Sequence, residues 1–179
     1  MRMFGKTVTA ARQRRTPRRR AASAIGCWAL AVAACLAVAT YRPQVLAATT
    51  EWIVTNPRTG LAIDGFDPVS YFLDAAAAPG RAEFEFTYRG VVWRFRNPGN
   101  RAAFMEDPAG YEPQFGGYDP VAIGHGVPTP GNPLIWLIAE QKLYLFYSPE
   151  AQAEFKTDGE RLLPQAAARW PDVTKVLSQ

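Results

Sequence analysis

The chain has 179 residues, of which 20 are lysine or arginine and 16 are aspartate or glutamate, so its formal net charge is +4. Residues 1–47 hold nine of the cations and none of the acids. Residues 48–179 therefore carry 11 cations and 16 acids, a formal charge of −5. A surface of that sign does not attract nucleic acid or anionic lipid, which excludes a nucleic-acid-binding function and confines membrane contact to the N-terminal segment.

The first 47 residues have the features of a secretory signal in the usual order. Eight cations within residues 1–20 precede an uncharged run, residues 21–41, that is rich in alanine, valine and leucine. Val45-Leu46-Ala47 then places small residues where a signal peptidase reads the chain. We expect residues 1–47 to be a signal peptide, or else an uncleaved membrane anchor, because the apolar run is near the roughly 20 residues that span a bilayer. Both interpretations predict a periplasmic or secreted protein.

The remaining chain has the length of one domain and contains no cysteine. Both cysteines, Cys27 and Cys35, lie in the N-terminal segment. The domain therefore has no disulfide and must be stabilised by burial of its apolar residues. We expect residues 48–60 to be an entry arm, residues 61–173 to be the domain and residues 174–179 to be a C-terminal tail.

Two β-hairpins are predicted. Polar and apolar residues alternate on both sides of Arg89-Gly90, with acids on the first strand and Arg94 and Arg96 on the second. This period of two is typical of a hairpin with one buried face, and the charges should pair on its outer face. Residues 134–139 and 142–147, apolar except for Lys142 and separated by two polar residues, predict a second hairpin. Because its strands are apolar almost throughout, we expect it at the centre of the sheet.

Three dipeptides in which a capping residue precedes a proline predict helix starts, namely Asn97-Pro98, Asp119-Pro120 and Ser148-Pro149. These helices are expected to end at Asp107, at Gly124 or Gly126, and at Asp158-Gly159, with a last helix over residues 161–169 and an irregular stretch over residues 107–118. The elements predict an α+β fold in which two antiparallel β-hairpins form a small sheet with helices packed on one side. The two strand–strand–helix units are only loosely similar, so no internal repeat is predicted.

Four segments of the domain share the motifs of a known family. They are residues 64–72 (Asp-Gly-Phe-Asp-Pro-Val-Ser-Tyr-Phe), Trp93-Arg94-Phe95, residues 111–118 (Tyr-Glu-Pro-Gln-Phe-Gly-Gly-Tyr) after Phe104 and Asp107-Pro108, and Trp136 with residues 142–145. In these segments the chain resembles the YHS domain family, in its exported bacterial form. The resemblance covers about residues 61–172, nearly the whole chain after the N-terminal segment.

The resemblance implies little chemistry. Metal-handling relatives carry a Phe-Cys-Ser-x-x-Cys-x-x-x-Phe segment, and here Phe95 and Phe104 keep the framing aromatics while Arg96 and Asn100 stand at the cysteine positions. Neither side chain is a ligand for a soft metal. Exported relatives usually carry a cysteine after Gly-Gly-Tyr, where this chain has Asp119. The chemistry of that cysteine is therefore not expected here.

The candidate binding site is the loop of residues 111–125. Its Gly-Gly pair lies between aromatic residues and can form the floor of a shallow pocket, because glycine adopts backbone conformations closed to other residues. The candidate ligand contacts are Tyr111, Gln114, Gly116, Gly117, Tyr118, Asp119 and His125. This pattern favours a non-catalytic binding module for an unknown small ligand.

Two other functions stay open. One is an accessory protein that docks on a partner protein without a ligand pocket. The other is a copper- or zinc-binding module that uses Asp119 and His125, with Glu112 beside them. One histidine with scattered carboxylates is a poor set for these metals, so no metal and no cofactor is predicted. Nothing marks Ser70 or Ser148 as a nucleophile with a base and an orienting acid, so no enzymatic activity is predicted.

Overall fold

The computed structural model describes residues 52–178. These residues fold as α+β, as predicted. The expected signal peptide or anchor, residues 1–47, lies outside the described residues. Within residues 52–178, no helix is both long enough and apolar enough to cross a membrane.

Both predicted hairpins are present. Strand β1 (Arg81–Tyr88) pairs antiparallel with β2 (Val91–Phe95), and β3 (Asn132–Ala139) pairs antiparallel with β4 (Lys142–Phe146). In the part of the chain that the structure describes, they form two separate two-stranded sheets. The prediction of one joint sheet is therefore wrong.

Short segments pair beside the second strand of each hairpin. Leu61 forms a parallel bridge with Val92 of β2, and Pro113 forms a parallel bridge with Leu143 of β4. These segments lie where a further strand would pair, so neither hairpin offers that edge to the other.

Helices begin where the capping residues predicted. The described helices are α1 (Ser70–Leu73), α2 (Pro98–Glu106), α3 (Pro108–Tyr111), α4 (Pro120–Gly124) and α5 (Pro149–Leu177), and 3-10 turns lie at Ile63–Gly65 and Gln114–Gly117. The side chains of Asn97, Asp119 and Ser148 each accept a hydrogen bond from a backbone N–H of the first turn. Helix α3 and the second 3-10 turn fall within the stretch 107–118 that was expected to be irregular.

Helix α5 is a single helix where the sequence predicted two. Asp158 (φ −135°, ψ 25°) kinks it at the predicted break, but the helix continues through Pro164 and Pro171 into the predicted C-terminal tail. Proline interrupts the helical hydrogen-bond ladder. Here that loss is offset because one face of the helix is buried, at Leu162, Ala166 and Val173.

The described chain contains an internal repeat, so the prediction of none is wrong. Residues 61–111 and 113–162 each contain, in order, a 3-10 turn, an Asp-Pro-Val sequence, a short helix, a β-hairpin, and a helix that starts at a proline. The short helix follows Asp-Pro-Val in the first repeat and begins at its proline in the second. Both 3-10 turns have positive φ at successive residues. An antiparallel bridge follows each turn, Phe66 with Pro79 and Tyr118 with Pro130.

The equivalence extends to the core. The helices after the hairpins each bury one phenylalanine, Phe104 in α2 and Phe155 in α5, against aromatic rings of their own hairpin. Each helix is then interrupted at an aspartate, Asp107 and Asp158. Successive side chains of a strand point to opposite faces, and those of β4 pack in two different hydrophobic clusters. Strand β4 therefore lies between the two cores.

Two segments lie outside the repeats, and they meet. In the N-terminal segment, the Val54 N–H donates to the Gly116 carbonyl (2.8 Å), and the Val54 carbonyl accepts from the Ile63 N–H (2.9 Å). This segment, expected to be an entry arm, thus connects the 3-10 turns of both repeats. Beside it, the Trp52 indole N–H donates to the Ser178 hydroxyl (3.0 Å) just after the end of α5.

Candidate functional site

The structure divides the predicted loop 111–125 into buried and exposed parts. Gly117, Tyr118 and Asp119 are buried, whereas His125 is exposed at the C-terminal end of α4. The candidate contacts therefore do not line one common pocket.

Asp119 has a structural role. Its side chain is buried, with the residue 1% exposed. One carboxylate oxygen accepts from the N–H groups of Val121 (2.8 Å) and Ala122 (3.3 Å), and the other accepts from the N–H of Tyr147 (2.8 Å). These bonds cap α4 and connect it to the chain just after β4. A carboxylate engaged in this way is poorly placed to bind a ligand.

The metal-binding alternative finds no cluster of ligands. Among residues 52–178, no group of three or more histidine, cysteine, aspartate or glutamate side chains is arranged to hold a metal ion. The Asn100 side-chain amide (2.7 Å) and the Arg96 backbone N–H (2.9 Å) both donate to the buried carboxylate of Asp67. These positions hold a hydrogen-bonded carboxylate in place.

Tyr111 lies apart from the other candidates. It belongs to α3, and its ring meets Phe72 edge to face at 5.4 Å. Both rings line a depression of about 430 Å³ beside the turn of the second hairpin, with Asp107 and Lys142.

Gln114 and Gly116 line a cleft, which is the best candidate site. Its volume is about 450 Å³, and its walls come from four separate parts of the chain. The residues that line it are Trp52, Ile53, Arg89, Glu112, Pro113, Gln114, Phe115, Gly116, Trp170, Pro171 and Thr174. We call this the Trp52–Trp170 cleft.

Gly116 is required at the base of the Trp52–Trp170 cleft. Its φ is +62°, in the left-handed region that favours glycine. A β-carbon at this position would overlap the Trp52 carbonyl oxygen. The glycine therefore allows the N-terminal segment to approach the second 3-10 turn, and so positions the Trp52 wall.

Three aromatic side chains form the apolar wall of the Trp52–Trp170 cleft. Phe115 and Trp170 meet edge to face, with ring centroids 5.7 Å apart, and Trp170 also packs on Tyr118 at 6.0 Å. Trp52 is 48% exposed. The wall therefore combines two rings fixed by packing with one that is open to solvent.

A charged pair and an amide supply the polar groups. The Arg89 guanidinium lies 3.2 Å from the Glu112 carboxylate, and their side chains are 51% and 15% exposed. Burial raises the pKa of Glu112, and the positive charges of Arg89 and Lys142 oppose part of that rise. Gln114 makes no side-chain hydrogen bond that involves another described residue, so its amide is available to a ligand.

A larger depression, about 490 Å³, lies beside the kink of α5. Its lining includes the charged residues Glu140, Lys156, Asp158 and Glu160, together with Tyr144 and Phe155. Phe155 is buried in the second core, so it presents little apolar surface there. We regard the Trp52–Trp170 cleft as the better candidate because it combines exposed aromatic surface with a charged pair.

Sequence reasoning missed most of this cleft. Trp52, Arg89 and Trp170 come from the predicted entry arm, a hairpin turn and the predicted end of the last helix, and no motif connects them. Glu112 was considered only as a metal ligand. A usable signal was the presence of one tryptophan near each end of the domain, outside the predicted strands and helices.

Comparison of the chain with protein-family models, with curated proteins and with solved structures finds no match.

Proposed function

We propose that the protein is an exported, non-catalytic binding module, similar to YHS domains, that holds a small ligand in the Trp52–Trp170 cleft. One observation carries the proposal. The two segments that lie outside the repeats, the N-terminal segment and the end of α5, converge on the second 3-10 turn and enclose this cleft.

The dimensions and lining of the cleft support a small molecule as the ligand. Small-molecule sites typically have volumes of about 300–1,000 Å³ and apolar walls with a few placed polar groups. The cleft has about 450 Å³, three aromatic rings and the Arg89–Glu112 pair. Aromatic rings offer a large contact area, so they favour a ligand with an aromatic or other flat apolar group.

The polar groups of the cleft favour binding over catalysis. Thr174 donates its hydroxyl hydrogen to the Pro171 carbonyl (2.9 Å) within its own helix. Arg89 and Glu112 neutralise each other. A nucleophile with a neighbouring base would be needed for covalent catalysis, and the lining residues supply no such pair.

Indole, a neutral aromatic probe, tests this function. Saturation-transfer NMR at millimolar indole should show transfer from the full chain. Thr174→Met, which fills the cleft, should abolish the transfer. Ala168→Met, on an exposed position of the same helix outside the cleft, should leave it unchanged. Equal transfer from all three proteins would refute the proposal.

A further inference from the structure

The Arg89–Glu112 pair brings a cation and an anion together at the edge of an aromatic wall. Arg89 lies in the turn of the first hairpin, and Glu112 directly precedes the bridge residue Pro113 of the second repeat. Their charged atoms are 3.2 Å apart, and both side chains line the same cleft as the exposed ring of Trp52. The cleft thus presents a donor and an acceptor side by side.

The pair is not part of the repeated scaffold. The turn of the second hairpin has Glu140 at the position equivalent to Arg89. Glu140 forms no salt bridge in the described part of the chain; the six pairs there involve other acids. The first hairpin, which contains Arg89, already has an ion pair on its outer face, Arg94 with Glu85 at 2.8 Å. Within its hairpin Arg89 also donates from Nε to the Tyr88 hydroxyl (3.1 Å) and lies over the Tyr88 ring. These contacts explain the arginine in the turn, but they do not explain the glutamate of the second repeat that meets it in the cleft.

We propose that the ligand is a small zwitterion of the α-amino-acid type with an aromatic or apolar side chain. Its carboxylate binds the Arg89 guanidinium, its ammonium group binds the Glu112 carboxylate, and its side chain packs against Trp52, Phe115 and Trp170. This inference rests on the proposed function of the same cleft.

A zwitterion is favoured because it leaves no charge without a partner. A partly exposed ion pair stabilises a protein only slightly. Replacing the contact between Arg89 and Glu112 by contacts of each side chain with a ligand therefore costs little free energy. A ligand with a carboxylate alone would draw Arg89 away and leave Glu112, 15% exposed, without its cation. A ligand with an ammonium group alone would place two cations around one carboxylate. The free Gln114 amide can add one hydrogen bond to the ligand.

The test compares four probes that share a benzene ring. L-Phenylalanine carries both charges, phenethylamine the ammonium group, 3-phenylpropionate the carboxylate, and indole neither charge. Calorimetry or NMR titration of the full chain should give a Kd for phenylalanine about tenfold lower than for each singly charged probe. In Glu112→Gln, phenylalanine should bind no more tightly than 3-phenylpropionate, because its ammonium group has lost its partner. In Arg89→Gln, phenylalanine should bind no more tightly than phenethylamine, because its carboxylate has lost its partner.

The Arg94–Glu85 pair on the outer face of the first hairpin supplies matched controls. Glu85→Gln and Arg94→Gln remove equivalent charges outside the cleft and should leave all four affinities unchanged. If indole or a singly charged probe binds the cleft as tightly as phenylalanine, the zwitterion is refuted and the proposed function stands. If none of the four probes binds, both are refuted. Circular dichroism of each variant verifies that it is folded.

Discussion

Asp67 and Asp119 make the same hydrogen bonds in the two repeats. Each accepts the N–H two residues later, from Val69 and Val121, and each accepts the first N–H after the second strand of its own hairpin, from Arg96 and Tyr147. Each buried carboxylate therefore connects the Asp-Pro-Val segment to the hairpin. Each carboxylate has a third donor, the Asn100 amide at 2.7 Å for Asp67 and the Ala122 N–H at 3.3 Å for Asp119.

We predict that Asp67→Asn and Asp119→Asn each lower the free energy of unfolding by about 1–3 kcal/mol, since an amide NH₂ in place of a carboxylate oxygen faces a backbone donor. Asp67→Asn should have the larger effect because its third donor, the Asn100 amide, is closer (2.7 Å) than the third donor of Asp119, the Ala122 N–H (3.3 Å). Asp74→Asn, which breaks an exposed ion pair with Arg96, should change the free energy of unfolding by less than about 0.5 kcal/mol. Urea unfolding measures all three. Equal midpoints for all three variants would contradict the role of the buried carboxylates.

Gly116→Ala should be more destabilising than Gly90→Ala. Both glycines have positive φ, +62° and +77°, so both substitutions carry a backbone strain of about 1–2 kcal/mol. Only at Gly116 does the new β-carbon meet other atoms, those of Trp52 and Ile53, whereas Gly90 has nothing within 4 Å. Thermal unfolding together with indole binding measures the difference. Gly116→Ala should also lose indole binding, and retention of wild-type affinity would show that the N-terminal segment does not form the cleft.

The pH dependence of stability should reveal the raised pKa of Glu112. Burial is the main cause of the rise above the ordinary value of 4.5. The folded state then holds a proton that the unfolded state has lost, so the stabilisation is fully present below pH 4.5 and is lost as the pH rises through the folded pKa. The free energy of unfolding of the wild type minus that of Glu112→Gln should therefore decrease as pH rises through this window. A difference that increases with pH would mean that Arg89 outweighs burial.

Phe104→Ala should cost more stability than Phe155→Ala, although the two residues are equivalent in the repeats. Phe104 meets four aromatic rings and Phe155 meets two. Removal of a fully buried phenylalanine typically costs about 3–5 kcal/mol, and the more densely packed ring should lie at the upper end. Chemical denaturation of both variants measures the order. A larger loss at Phe155 would place the more stable core in the second repeat.

Export should depend on the apolar run of residues 21–41. Replacing Leu30 and Leu36 by arginine adds charge to that run, which a secretory signal does not tolerate. The double variant should accumulate in the cytoplasmic fraction, whereas the unchanged chain should appear outside it. Cell fractionation decides the matter, and an unchanged chain that stays in the cytoplasm would refute export.

The sequence by itself determined the local elements of this protein. Asn97-Pro98, Asp119-Pro120 and Ser148-Pro149 mark helix starts correctly because each capping bond joins residues two or three apart. The hairpin turns were equally readable, since alternation and turn residues are adjacent in the chain.

Only the tertiary structure decided where α5 ends, that the two halves are repeats and which residues enclose the Trp52–Trp170 cleft. Helix α5 passes two prolines because its buried face is held by α4, a contact that its own sequence does not encode. The side chains of Trp52 and Ser178 form a hydrogen bond although the two residues are 126 positions apart in the chain. A cleft built from such distant residues leaves no periodicity or spacing in the sequence, because its geometry depends on the packing of the whole domain.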